Sequence, residues 1–380
     1  MTTSGPTTLG GLAPLEVATR LGSLRARLGE GGVDALIVTT LPNVRYLSGF
    51  TGSAGVLAVT DGAALLTTDG RYRTQAAEQL EAAGVADAVA IEIGGAQAQR
   101  DAVKKFVAAA GRVGLEADSV TWEASRRWAE LLEGTELVPT TGMVEALREV
   151  KDPGEIARMR RAAAIADAAL GEVLPMLVGA PDASLTEEEF ALALDTAMRR
   201  LGAEDRAFDT IVASGPNSAK PHHQPTSRVM RRGDPVVVDF GAIFSGYRSD
   251  MTRTFCIGGE PTGELARVFE VVGAAQAQGV AAVRAGVGAK DVDDVCRQVI
   301  SEAGWGERFE HGTGHGVGLD IHEAPTVSPL GTAILTPGVV VTVEPGVYLP
   351  GVGGVRIEDT LVVTVDGSFP LTTFTKDVAA

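Results

Sequence analysis

Over about residues 16–31, Leu21, Leu24 and Leu28 recur at helical spacing, which predicts one buried helix face. The apolar run DALIVTT that follows reads as a strand. VRYLSGF, GVLAVT and AALLTTD read as further short strands broken by Gly and Asp. Alternating helix and strand signals, with strands at AVAIEI and RVGLEA, continue to about residue 141 and predict an α/β domain over 15–150. A helical connector over 143–151 leads to Asp152-Pro153-Gly154-Glu155. There Asp can cap a helix, Pro fits its first turn, and Glu three residues on completes a capping box. A second domain is expected over 151–375, with helices at 153–177 and 185–201 and strand-rich sequence at 208–255. The same order recurs, with helices at 263–285 and 289–303 and strands to 364, so an internally duplicated α+β domain of helix-helix-sheet halves is predicted.

Each half ends in a hairpin that carries acids. DPVVVDFGAIFSGYRSDMTRTF (234–255) and GVVVTVEPGVYLPGVGGVRIEDTLVV (338–363) both run from a β-branched strand to a carboxylate, turn through a glycine-containing loop, and return with another carboxylate. Asp239 corresponds to Glu344 and Asp250 to Glu358. Arg248, Asp250 and Thr252 share the spacing of Arg356, Glu358 and Thr360, which period-two alternation would put on one strand face. An unpaired carboxylate is strongly unfavourable in a dry interior. Arg248 and Arg356 are too few for four acids, whereas two divalent ions supply four positive charges and suit oxygen ligands with an added imidazole.

All five histidines, His222, His223, His311, His315 and His322, lie in this same domain. His315 is flanked by glycines, which permit close backbone approach. A phosphate-binding glycine loop is disfavoured there, because neither a Lys-Ser nor a Lys-Thr follows and no βαβ unit precedes it.

Length and composition narrow the class. At 380 residues, 45% hydrophobic and 22% charged, the chain suits two globular domains. A net charge of −16 argues against nucleic acid as a partner. No run approaches the roughly 18 apolar residues of a membrane helix, and residues to about 14 read as a flexible leader without the features of a signal peptide. Two cysteines without a CxxC suggest a reduced, cytoplasmic setting.

SGPNSAKPHH, VVVDFGA, SDMTRTF, GTGHGVG, IHEAP, VEPGVY and RIEDT, in this order, resemble the signature of the Xaa-Pro peptidases, aminopeptidase P and prolidase, within the wider group that includes methionine aminopeptidase and creatinase. YLSGFTGSAG, TTDGRY and QAAEQL resemble the N-terminal domain of aminopeptidase P. The resemblance implies a pita-bread catalytic domain behind a creatinase/prolidase-type α/β domain, and a homodimer. It implies that Asp239, Asp250, His315, Glu344 and Glu358 hold two divalent ions, manganese foremost, with cobalt or zinc accepted by the same ligands. Ions so held lower the pKa of bound water to about 7 and supply the nucleophile.

By the same resemblance His222 transfers a proton, Glu344 serves as acid/base and His322 contacts the peptide carbonyl. His311, Tyr348 and Arg356 line or brace the substrate pocket, Arg356 standing equally as a counter-ion for a ligand carboxylate. His223 reads as structural and Arg71 as a surface ion pair. The implied substrates are short peptides with proline second, and dipeptides and longer peptides both stay open. Alternatives are a non-catalytic peptide-binding module, metal-free creatinase-like hydrolysis, and an aminopeptidase without proline specificity. The first two are disfavoured by the complete ligand set, and methionine aminopeptidase by the extra N-terminal domain and PHH.

Overall fold

The structure, a computed structural model, describes residues 11–377, so most of the expected leader lies outside the described residues. Two compact units divide the chain, one of 15–148 and one holding 149–377 with 11–14.

The first unit is built on a six-stranded sheet in the order Val89–Ile93, Ala64–Thr68, Val56–Thr60, Ala35–Val38, Arg112–Glu116, Glu136–Thr140. Val56–Thr60 is antiparallel to both neighbours and the other pairs are parallel. The expected strand at VRYLSGF is instead a helix, Leu41–Ser48. Pro42 sits in its first turn, Val44 and Leu47 bury one face at i,i+3 spacing, and Gly49 ends it at φ 76°. Alternation over so short a run suits either element, and the Pro at the helix start decides it.

The second unit opens with the predicted capping box at Asp152 and Glu155, and the helix Pro153–Ala183 follows. This helix and Glu187–Arg200 cover the sheet Met251–Cys256, Pro235–Phe240, Ile211–Ser214. Their core includes Leu170, Phe190, Leu194, Val236, Phe240 and Phe255. Gly263–Ala282 and Ala289–Glu302 then cover a five-stranded sheet with Val340–Val343 and Asp359–Val363 at its heart, over a separate core that includes Val272, Val292, Ile300, Val341 and Leu361. On length and composition Pro153–Ala180 could cross a membrane, contrary to the sequence expectation. Met159, Ala162, Ile165, Ala169, Leu170 and Leu177 are buried in the protein core, which accounts for the apolar character of this helix.

The two acid-bearing return strands are not continuous. Tyr247–Arg248 pairs with Ala242–Phe244, whereas Met251–Cys256 pairs with Pro235–Phe240. Likewise Gly353–Arg356 pairs with Gly346–Leu349, and Asp359–Val363 with Val340–Val343. Asp250 and Glu358 each stand at the changeover between partners. The single strand face expected for each trio is therefore interrupted at its middle member. Gly241 makes the first changeover possible, since a Cβ there would lie 1.9 Å from the Ser249 carbonyl oxygen.

Candidate metal centre

Asp239 lies near the end of Pro235–Phe240, opposite Thr252 in the ladder. Asp239, Asp250 and Glu358 each direct a carboxylate oxygen to one point, the three atoms lying within 4.8 Å of one another. Asp250 and Glu358 are buried. Asp239 Oδ2 accepts from Arg356 Nη2 at 2.6 Å, and Glu358 Oε2 accepts from Thr252 Oγ1 at 2.7 Å. Asp239 Oδ1 and Glu358 Oε1 are buried and have no hydrogen-bond partner among the described residues.

His315 Nε2 lies 3.6 Å from Asp250 Oδ2 and 3.4 Å from Glu344 Oε1, so it joins the group from the neighbouring strand. Its Nδ1 is 2.9 Å from the Gly316 carbonyl oxygen. A carbonyl only accepts, so Nδ1 carries the hydrogen and Nε2 presents its lone pair to the acids, the form a metal ligand needs. Thr342 ties the two together. Its hydroxyl accepts the His315 N–H at 3.0 Å and donates to Glu344 at 3.1 Å. The glycines beside His315 do permit close approach, but to strand backbone. A Cβ on Gly314 would lie 2.1 Å from the Thr342 carbonyl oxygen, and one on Gly316 2.1 Å from that of Ala324.

Electrostatics point the same way as the geometry. Burial raises Asp250 and Glu358 well above ordinary carboxylates, with neighbouring acids adding to the shift. Burial lifts Glu344 to about 7, with Arg356 opposing and Asp239 adding. Burial also lowers His315 and keeps it neutral. Arg356 sets its guanidinium against these carboxylates through Asp239. Arg248 donates to the carbonyl oxygens of Leu319 and Ala207 and so braces the loop before His322. Buried acids with unpartnered oxygens and one neutral imidazole form a donor set that fits divalent cations.

A hydrogen-bonded chain leads away from this group. Arg356 Nη1 donates to Tyr348 Oη at 2.8 Å, and Tyr348 Oη lies 2.8 Å from His311 Nε2. Because His311 Nδ1 faces the Gly312 carbonyl oxygen, Nε2 accepts the tyrosine proton. Burial, followed by Arg356, brings His311 down to about 4, and burial raises Tyr348 to about 12. Both are therefore neutral in ordinary buffers. His322 stacks edge-on against His315 at 4.4 Å between ring centres.

His222 is exposed, and Arg356 reaches the carbonyl of the preceding Pro221 at 3.3 Å. His223 is buried on Glu187 at 2.9 Å, in keeping with a structural part. Arg71 pairs with Asp69 at 2.8 Å in the first unit and is exposed. Sequence reasoning missed Thr342 and Glu187. Only the Thr252 spacing beside Asp250 hinted at the hydroxyls that brace these acids.

Residues 157–365 match the model of metallopeptidase family M24, and residues 20–150 that of the creatinase/prolidase N-terminal domain. An uncharacterized peptidase of Bacillus subtilis is 40% identical over 94% of this chain and 99% of its own length. The solved structure of an Xaa-Pro dipeptidase from Bacillus anthracis is 39% identical with a TM-score of 0.90, covering 96% of this chain and 99% of that one. That of an X-Pro aminopeptidase from Thermotoga maritima is 36% identical with a TM-score of 0.83, covering 92% and 98%. With the buried acids, the neutral imidazole and both domains accounted for, the chain belongs to metallopeptidase family M24.

Proposed function

We propose that this protein hydrolyses the Xaa-Pro bond at the free N-terminus of short peptides. The observation that carries the reading is the buried trio Asp239, Asp250 and Glu358 with its two unpartnered oxygens. With His315 and Glu344 these residues would hold two divalent ions, manganese in our reading. Bound there, such ions lower the pKa of water and polarise a carbonyl.

The remaining steps belong to the chain's own residues. Glu344, raised to about 7 by burial, is suited to hold and release a proton near neutral pH. His222 is exposed and can exchange a proton with solvent, and His322 beside His315 can donate to the peptide carbonyl. A bond to proline nitrogen offers no N–H for a cleft to grip, so recognition falls to the shape of the pocket. His311, Tyr348 and Arg356, locked to one another, would form one wall of that pocket. Names of relatives of near-complete overlap support the proline reading, both as dipeptidase and as aminopeptidase. We further propose a cytoplasmic homodimer, a reading in keeping with the free, buried thiols of Cys256 and Cys296.

The test compares Ala-Pro, an Xaa-Pro-Xaa tripeptide and Met-Ala-Ser on chelated enzyme reloaded with manganese. Turnover of Ala-Pro alone makes it a dipeptidase, and turnover of the tripeptide as well an aminopeptidase. Cleavage of the methionyl peptide only, or of none, would refute the proline reading.

A further inference from the structure

Glu187 is the first residue of its helix, and its side chain is wholly inaccessible. Among the described residues it does not pair with a lysine or arginine. Instead, Oε1 accepts from the Ser214 N–H at 2.8 Å, the Ser214 hydroxyl at 2.7 Å and Asn217 Nδ2 at 3.1 Å. Oε2 accepts from the Thr226 N–H at 3.1 Å, the Thr226 hydroxyl at 2.7 Å and His223 Nε2 at 2.9 Å, with Asn217 Nδ2 also 3.3 Å away. All these donors lie between 214 and 226, and they flank His222 on both sides.

The same segment is fastened from the metal side, because Arg356 bonds the Pro221 carbonyl and Ser218 Oγ accepts the Gly354 N–H at 2.8 Å. Consecutive histidines thus go to opposite environments, His223 into the Glu187 cluster and His222 outward. The place of an exposed ring is set by the backbone that carries it. Here that backbone is stretched between Arg356 and Glu187.

We infer that Glu187 is a positioning residue for His222, its carboxylate gathering the 214–226 segment so that the backbone carrying the imidazole is held against Arg356. A carboxylate suits this task because both its oxygens only accept, and every group around them donates. Glutamine would turn one oxygen into a donor facing donors. The inference rests on the reading of His222 as the proton-transfer residue.

The experiment uses manganese-loaded full-length protein as wild type, Glu187→Gln, His222→Ala and the double variant, with Glu187→Asp measured alongside in case the glutamine variant does not fold. Amide hydrogen exchange in peptides covering 214–226 should quicken by about 10-fold or more in Glu187→Gln, while the two hydrophobic cores exchange as before. On Ala-Pro, kcat should fall by about 10- to 100-fold, with KM and metal content held. The double variant should be no slower than His222→Ala within about 2-fold, because both changes disable one group. Unchanged exchange would overturn the inference, and so would losses that multiply in the double variant. Failure of wild type to cut Ala-Pro and the tripeptide would instead refute the proposed function, leaving the exchange result to decide whether Glu187 holds the segment.

Discussion

Asp239 Oδ1 and Glu358 Oε1 are polar atoms that the fold itself leaves unsatisfied. A bare buried carboxylate oxygen is costly, so its retention beside two further acids marks a place where cations complete the interior. Asp250→Asn and Glu358→Gln keep size and shape but remove charge. Each should weaken metal retention by more than about 100-fold, since even outer partners of metal ligands are worth 10- to 100-fold, and turnover should fall with it. Metal analysis after dialysis checks this, and full metal content would contradict it. Glu187 gives a second prediction. Burial pushes its acidity the other way, yet the hydrogen bonds of Ser214, Thr226 and His223 outweigh it and hold the group at about 2 instead of 4.5. Its contribution is complete above about pH 5 and is lost as pH falls toward 2, a swing of roughly 3 kcal/mol. Urea midpoints of wild type and Glu187→Gln should therefore converge over that range. At this scale the sequence is legible where chemistry is compressed into short motifs, as at Asp239, Asp250, His315 and Glu358. Glu187 escaped because its partner His223 stands 36 positions away and its neighbours Glu188 and Glu189 make it look like an ordinary acidic helix start.

Individual elements follow their sequences where length and caps agree, as at the capping box of Asp152. They depart where a short run suits two periods. Leu41–Ser48 shows this, because VRYLS alternates like a strand while Val44 and Leu47 also share a helix face. The changeovers at Asp250 and Glu358 were hidden for another reason: strand pairing is decided by distant partners, and nothing local in SGYRSDMT announces that the partner strand changes. Close packing between strands gives the third prediction. Gly314→Ala would drive a methyl group into the Thr342 backbone, and Thr342 braces both His315 and Glu344. A loss of about 1–3 kcal/mol is expected, together with lower metal retention. Gly367→Ala, which meets nothing within 4 Å, should leave both unchanged. Calorimetry and metal analysis of the two variants decide it.

On the scale of the whole molecule, repetition of two helices and a sheet was readable in the chain, and each half does have its own apolar core. The bonds that join the acids could not be read, because they run between halves: Arg356 to Asp239, Thr252 to Glu358, and Thr360 to the Asp250 carbonyl. Four acids without cations repel across this seam, so chelation should lower the thermal transition of the second unit while that of 15–148 stays in place. Scanning calorimetry of full-length protein with and without chelator would show one transition moving; two moving equally would count against it. The crossed bonds also bear on how such a site can change over time. Each half keeps the counter-group of an acid that the other half supplies, so a substitution useful to one is answered for by its twin. A duplicated chain of this kind is free to drift in its helices and surfaces, but at the seam its two copies must be inherited as a matched pair.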